Sequence, residues 1–199
     1  MNIAVKNLVN LVYTPMLLSF VGQADYGVYQ SCSSFVFSFS LLSFGFSQAY
    51  VRFYEQRRVR GAEADIRRLN GMYLVLYLVI SAAALAAGLA CAAHAEAIFA
   101  SGFTSQQVAT ARAVMALLAG NIAVTLFDSV FSAFVVAREE FRFQKTCQLA
   151  TSLATPFVAY ALLCAGMGVV GVAAANLAVN IVLLVLNASY CVRQLGMLF

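Results

Sequence analysis

The stretch Met72 to Ala93, MYLVLYLVISAAALAAGLACAA, runs for twenty-two residues without a charged side chain. A helix needs about 20 apolar residues to cross about 30 Å of hydrocarbon, so this segment reads as a transmembrane helix. Working outward, the pattern repeats. Cys147 to Met167 and Val169 to Val192 carry no charge, and Ala113 to Ala137 carries one, Asp128. Val28 to Val51 is uncharged but rich in Ser and Phe, and Ile3 to Val21 is the weakest by hydropathy. The expected fold is all-α: a single lobe over 1–199, a bundle of about six transmembrane helices with spans near 3–21, 28–51, 72–93, 113–137, 147–167 and 169–192.

Composition agrees. Of 199 residues, 63% are hydrophobic and 10% charged, against about 45–50% and about 25% in soluble domains. A core this small cannot hide the excess, because a short chain leaves much of its surface exposed. The net charge of +4 has no basic patch interleaved with exposed aromatics, so nucleic acid is not expected as a partner. Position explains the charge instead. Lys6, the arginines between the second and third spans (Arg52, Arg57, Arg58, Arg60, Arg67, Arg68), the set Arg138, Arg142 and Lys145, and Arg193 all fall on one side if both termini are cytoplasmic. That is eleven of twelve basic residues, with Arg112 the exception; the excess of Lys and Arg in cytoplasmic loops sets this orientation.

The connections carry turn chemistry. Gly22 to Gly27 supplies two glycines and Asp25, while Gly166, Gly168 and Gly171 permit a tight turn before the sixth span. A Ser or Thr among residues 101–105 sits in cap position for the fourth helix. Pro156 falls mid-span in the fifth, where a kink is expected rather than a break, since neighbouring helices satisfy the carbonyl it frees. Residues 138–145 alternate charge with aromatics and read as an interfacial segment. The first segment is a retained helix and not a cleaved signal, because Asn7, Asn10, Tyr13 and Pro15 interrupt its apolar run.

Within the spans, polar residues share helix faces. At about 100° per residue, Lys6, Asn7, Asn10, Tyr13 and Thr14 align on the first. Ser33, Ser40, Ser43 and Ser47 lie off an apolar stripe of Cys32, Phe35, Phe39, Leu42 and Phe46 on the second. The fourth carries Asn121, Thr125, Asp128 and Ser132, the fifth Gln148, Thr151, Ser152 and Thr155, and the sixth Asn176, Asn180 and Asn187. Singly, such groups are interhelical hydrogen bonds worth about 0.6–2 kcal/mol. Together, five aligned faces also fit a hydrated internal cavity. Asp128 stands nine residues before Ala137, about 13 Å from the helix end at 1.5 Å per residue. A carboxylate at that depth either couples transport to a proton or cation, or is a neutral group hydrogen-bonded to a neighbour.

No nucleophile–His–acid set, metal-ligand spacing or phosphate loop occurs, so neither an enzyme activity nor a cofactor is expected. The five cysteines lie in apolar stretches without a CxxC pair and read as small hydrophobes. His94 stands alone at the end of a span.

Several segments resemble one family. Thr14-Pro15-Met16-Leu17-Leu18 followed by Val21-Gly22-Gln23-Ala24-Asp25-Tyr26-Gly27-Val28-Tyr29-Gln30 resembles the "TPxLL…LGxxxYGxYQ" opening of bacterial polysaccharide flippases. Phe44 to Tyr54 resembles their "GLxxAxxRF" segment, and Asn121 to Phe131 with Glu140-Phe141-Arg142-Phe143-Gln144-Lys145 resembles their fourth span and "ExFxFQK" entry to the fifth. The resemblance implies the N-terminal lobe of a two-lobed exporter of the multidrug/oligosaccharidyl-lipid/polysaccharide superfamily, in the bacterial cytoplasmic membrane. It implies an undecaprenyl-linked oligosaccharide as substrate, membrane lipid as surroundings, and a second lobe or partner half. It also implies a polar cavity reached by Asn10, Thr14 and the serine face of Ser33, Ser40 and Ser47, with Arg52 near the cytoplasmic mouth as a pyrophosphate contact or a headgroup anchor. Asn121 and Asp128 join these as cavity candidates by their alignment. Ser19 stands where many relatives have Arg, and Asp128 where most are apolar. Two other readings remain open: a lobe of a cation-coupled multidrug exporter, and a non-transporting scaffold for glycan-assembly enzymes.

Overall fold

The computed structural model describes residues 13–38, 45–59, 63–99 and 104–198, all helix and short connections with no strand among them. Residues 13–21 form α1; α2 is Gln23–Phe37, α3 Phe46–Val59, α4 Glu63–Ala93, α5 Ala95–Phe99, α6 Ser105–Ala137, α7 Phe141–Cys164 and α8 Gly168–Arg193. Four of these, α4, α6, α7 and α8, are long and apolar enough to cross a membrane. This is a helical, multi-pass membrane protein.

The four long helices cover the third to sixth expected spans but begin earlier. α4 starts nine residues before Met72 and runs 31 residues, about 46 Å at 1.5 Å per residue. Its charged first turns therefore project beyond the hydrocarbon as helix and not as loop. α6 starts at a capping box: the Thr104 hydroxyl accepts from the Gln107 backbone N–H, and the Gln107 side chain accepts from the Thr104 backbone N–H. The stretch 141–145, expected to lie along the interface, is the first turn of α7. α7 continues through Pro156, and Gly166 (φ 81°) and Gly168 (φ 54°) make the turn to α8. The described part of the expected second span divides between α2 and α3, which starts after Gly45 at φ 88°. Of the expected turn at 22–27, only Gly22 interrupts the helices.

α6 is the axis of the bundle. Val28, Cys32 and Val36, one per turn of α2, are buried against Val114, Met115 and Leu118. On α4, Tyr73, Tyr77, Ser81, Ala84, Gly88 and Ala92 form a buried stripe with the spacing of a packed helix face. At Gly88 the two backbones approach so closely that an added Cβ would collide with the Ala119 side chain. Small residues permit this, and in a membrane such contacts, not a hydrophobic force, hold helices together. At the arginine-rich end, Tyr50, Tyr54, Tyr73 and Tyr77 pack with Phe134; Tyr50 meets Tyr73 edge-on at 4.9 Å and Tyr54 meets Phe134 at 5.7 Å. The chain after α8 turns back at Gly196 (φ 62°), burying Met197 in this cluster. Arg112, the basic residue that departs from the charge asymmetry, lies at the opposite end and pairs with Glu96 at 2.8 Å.

Candidate functional site

The polar faces of α6 and α8 meet in a ladder. The Asn180 side-chain amide donates to Asn121 Oδ1 at 2.8 Å, and seven residues on, the Asn187 amide donates to both oxygens of Asp128 at 2.8 and 3.0 Å. Both pairs are 59 residues apart in sequence, so the two helices run in the same direction and in one register. A seven-residue step keeps facing positions on the seam of two packed helices. The Ser132 hydroxyl adds a third hydrogen bond to Asp128, to Oδ2 at 3.0 Å. Asp128 and Asn187 are both buried. The carboxyl group thus rests on neutral amide and hydroxyl donors, the hydrogen-bonded arrangement that makes a midspan acid tolerable.

Farther along α8, the Asn176 amide donates to the Tyr29 hydroxyl at 3.3 Å and to the Val172 carbonyl at 3.0 Å. Ser33 sits beside Tyr29, at the contact of α2 with α8. The Tyr13 hydroxyl is buried with no hydrogen-bond partner among the described residues, and Thr14 is half-buried next to it on α1.

A second arrangement opens outward. Ser47 and Gln48 of α3, Ser129 and Ser132 of α6 and Gln144 of α7 line a groove of about 240 Å³. Ser47 also shares a hydrogen bond with the Tyr77 hydroxyl at 2.8 Å, which fixes it against α4. Ser132 belongs to both arrangements: it forms the groove wall and holds Asp128. The carboxyl group is therefore one hydrogen bond removed from an open groove that Val51, Ala133 and Val136 also line.

Of the candidates, the structure joins Asn121 and Asp128 through α8 and places Ser47 on the groove beside Asp128's partner. Ser33 and Thr14 lie apart from these, near the Tyr29 contact, and Arg52 is exposed on α3. Asn10 and Ser40 lie outside the described residues. Asn180 and Asn187, read from the sequence as part of the polar face of the sixth span, are the hydrogen-bond partners of Asn121 and Asp128. The usable signal was the shared spacing: 121 and 128 on one span, 180 and 187 on another. Asn70 was unmarked because it lies in what reads as a charged loop. Its Oδ1 accepts from the Tyr50 hydroxyl at 2.7 Å, and its amide donates to the Leu198 carbonyl at 2.9 Å.

Among the described residues no group of three or more His, Cys, Asp or Glu is placed to hold a metal. Cys32 and Cys191 are buried, their thiols directed at the Ala111 and Phe131 carbonyls. No family model, curated protein or solved structure matches this chain.

Proposed function

We propose that this chain is one lobe of a transporter that moves a lipid-linked oligosaccharide across the bacterial cytoplasmic membrane by alternating access. It crosses six times with both termini inside. The observation that carries this reading is the open groove between α3, α6 and α7, where Gln48 and Gln144 stand among Val51, Ala133 and Val136. The hydroxyls of Ser47, Ser129 and Ser132 are bonded within the bundle, so it is the amides of Gln48 and Gln144 that lipid tails cannot satisfy and that call for water, a glycan or a second lobe. A glycan offers hydroxyls to the two glutamine amides and the C–H faces of its rings to Val51, Ala133 and Val136, while its lipid stays in the bilayer. The groove face is where a second lobe would rock against this one.

Substituted-cysteine labelling tests the reading. In a chain whose native cysteines are replaced, Gln48→Cys and Ser129→Cys should react with a membrane-impermeant maleimide, and Leu186→Cys, exposed on α8, should not. In cells making the complete transporter, Ser129→Leu should lower delivery of the glycan to the outer leaflet without lowering protein level. Unreactive cysteines at both groove positions would sink the proposal. The cation-coupled exporter reading draws on Asp128 alone, and an unchanged pH dependence of transport in Asp128→Asn would remove it.

A further inference from the structure

Outside the α6–α8 seam, the arginine-rich end holds a larger cavity, about 570 Å³, lined by Tyr54, Arg58, Glu63, Arg67, Asn70 and Arg138 among others. Three guanidinium groups face one carboxylate there. Arg138 is held in place: its Nη2 donates to the Leu195 carbonyl at 2.9 Å and its guanidinium lies 5.5 Å from the centre of the Phe134 ring. Arg58 meets Glu55 at 3.6 Å with both side chains about half exposed (50% and 44%), a pairing that holds little of its charge in water. Tyr54 is buried in the wall, and burial keeps its hydroxyl above the ordinary phenol value against the pull of Arg138 and Arg58. It remains a neutral donor at physiological pH.

A shallow, open strip along one face of α4 adjoins this cavity. Ala64 and Arg67 line both, and from Arg68 the strip runs down α4 past Gly71, Met72 and Val75. Met72 and Val75 are exposed, and Met72 opens the uncharged stretch that enters the hydrocarbon. A basic cavity at a bilayer boundary, continuous with an apolar helix face descending into the bilayer, matches the charge pattern of one amphiphile. The glycine at position 71 leaves the strip without a side chain at its upper end.

We infer that this end of the molecule binds an anionic phospholipid, with the phosphate among Arg58, Arg67 and Arg138 and an acyl chain along Gly71, Met72 and Val75 of α4. Arginine suits the role because its planar fork matches phosphate oxygens in pairs. The lipid joins α3, α4 and the turn after α6, so its binding braces that end of the bundle.

The test is native mass spectrometry of the purified, delipidated chain titrated with dioleoyl phosphatidylglycerol or dioleoyl phosphatidylcholine. The wild-type chain should retain phosphatidylglycerol at least fivefold more tightly. Each arginine removed should weaken it about fivefold, so Arg58→Gln and Arg67→Gln should each cut the preference about fivefold and the double variant should abolish it. Arg193→Gln, outside the cavity, should change nothing. Gly71→Phe obstructs the strip and should weaken phosphatidylglycerol while leaving sn-glycerol 1-phosphate unaffected. Equal retention of the two lipids by the wild-type chain overturns the inference. So does an equal loss in Arg193→Gln, which would mean diffuse charge, and so does full displacement of the lipid by an equal concentration of glycerol phosphate or inorganic phosphate, which would mean a soluble ligand.

Discussion

On α6, Asn121, Asp128 and Ser132 reach across to α8 or to one another. On α7, a polar face of similar length closes on itself: the hydroxyls of Thr151, Ser152 and Thr155 donate to the carbonyls of Cys147, Gln148 and Thr151, at 3.0, 2.7 and 2.8 Å. The two helices also differ in burial. Half of the most apolar window of α6 is buried, against 11% for α7. An aligned polar face thus has two outcomes. Carboxyl and amide groups have acceptor and donor capacity beyond what their own helix can satisfy, so they demand a partner helix. A hydroxyl fits the i−4 carbonyl of its own turn and demands none. The first arrangement fixes the register of two helices; the second leaves a helix free to face lipid, water or another lobe.

The sharpest way to break this contrast is at the seam. Asn187→Leu leaves Asp128 with Ser132 alone and should lower unfolding stability in mixed micelles by about 2–3 kcal/mol, the cost of orphaning a buried polar group. Asp128→Leu/Asn187→Leu should recover much of that loss, because an apolar pair leaves nothing unsatisfied. A strictly additive double variant would show that the two residues are not coupled.

Packing offers a second handle, of somewhat smaller size. Gly88→Val drives a side chain into Ala119 on α6 and should cost about 2 kcal/mol through overpacking. Ala150→Val, on the exposed face of α7, should be close to neutral in the same measurement. The smallest effect belongs to the self-closed face. Thr151→Val and Thr155→Val should each stay within about 0.5 kcal/mol of wild type, and a larger loss in either would mean that α7's hydroxyls have interhelical partners.

Much of the fold was legible because hydrocarbon imposes a length and forbids unpaired backbone. Met72 to Ala93 could hardly be anything but a membrane helix. The helix ends were less legible. Glu63 to Gly71 looks like loop by hydropathy, yet backbone hydrogen bonding continues outside the hydrocarbon, and Leu69 and Asn70 are buried by the tyrosine cluster. The second span is described only in part, over 28–38 and 45–51. Its Ser- and Phe-rich residues carry no charge, and hydropathy does not register the left-handed backbone at Gly45 that begins a new helix. Of the candidate site, Asn121 and Asp128 were visible as polar groups in apolar surroundings, while Asn70 and Arg138 each gained a carbonyl partner from the chain's return after α8.

By itself, the sequence determined that this chain is helical and lives in a bilayer, and that its basic residues collect between its apolar stretches. Each of those properties is a sum over local side chains meeting a solvent of known thickness and polarity. Only the tertiary structure decided that Asn187 answers Asp128 and Asn180 answers Asn121, and that Ser132 stands between the seam and an open groove. Those facts depend on the direction and register in which α6 and α8 pack. The register follows from side chains interlocking across 59 residues of intervening chain, which no local pattern specifies.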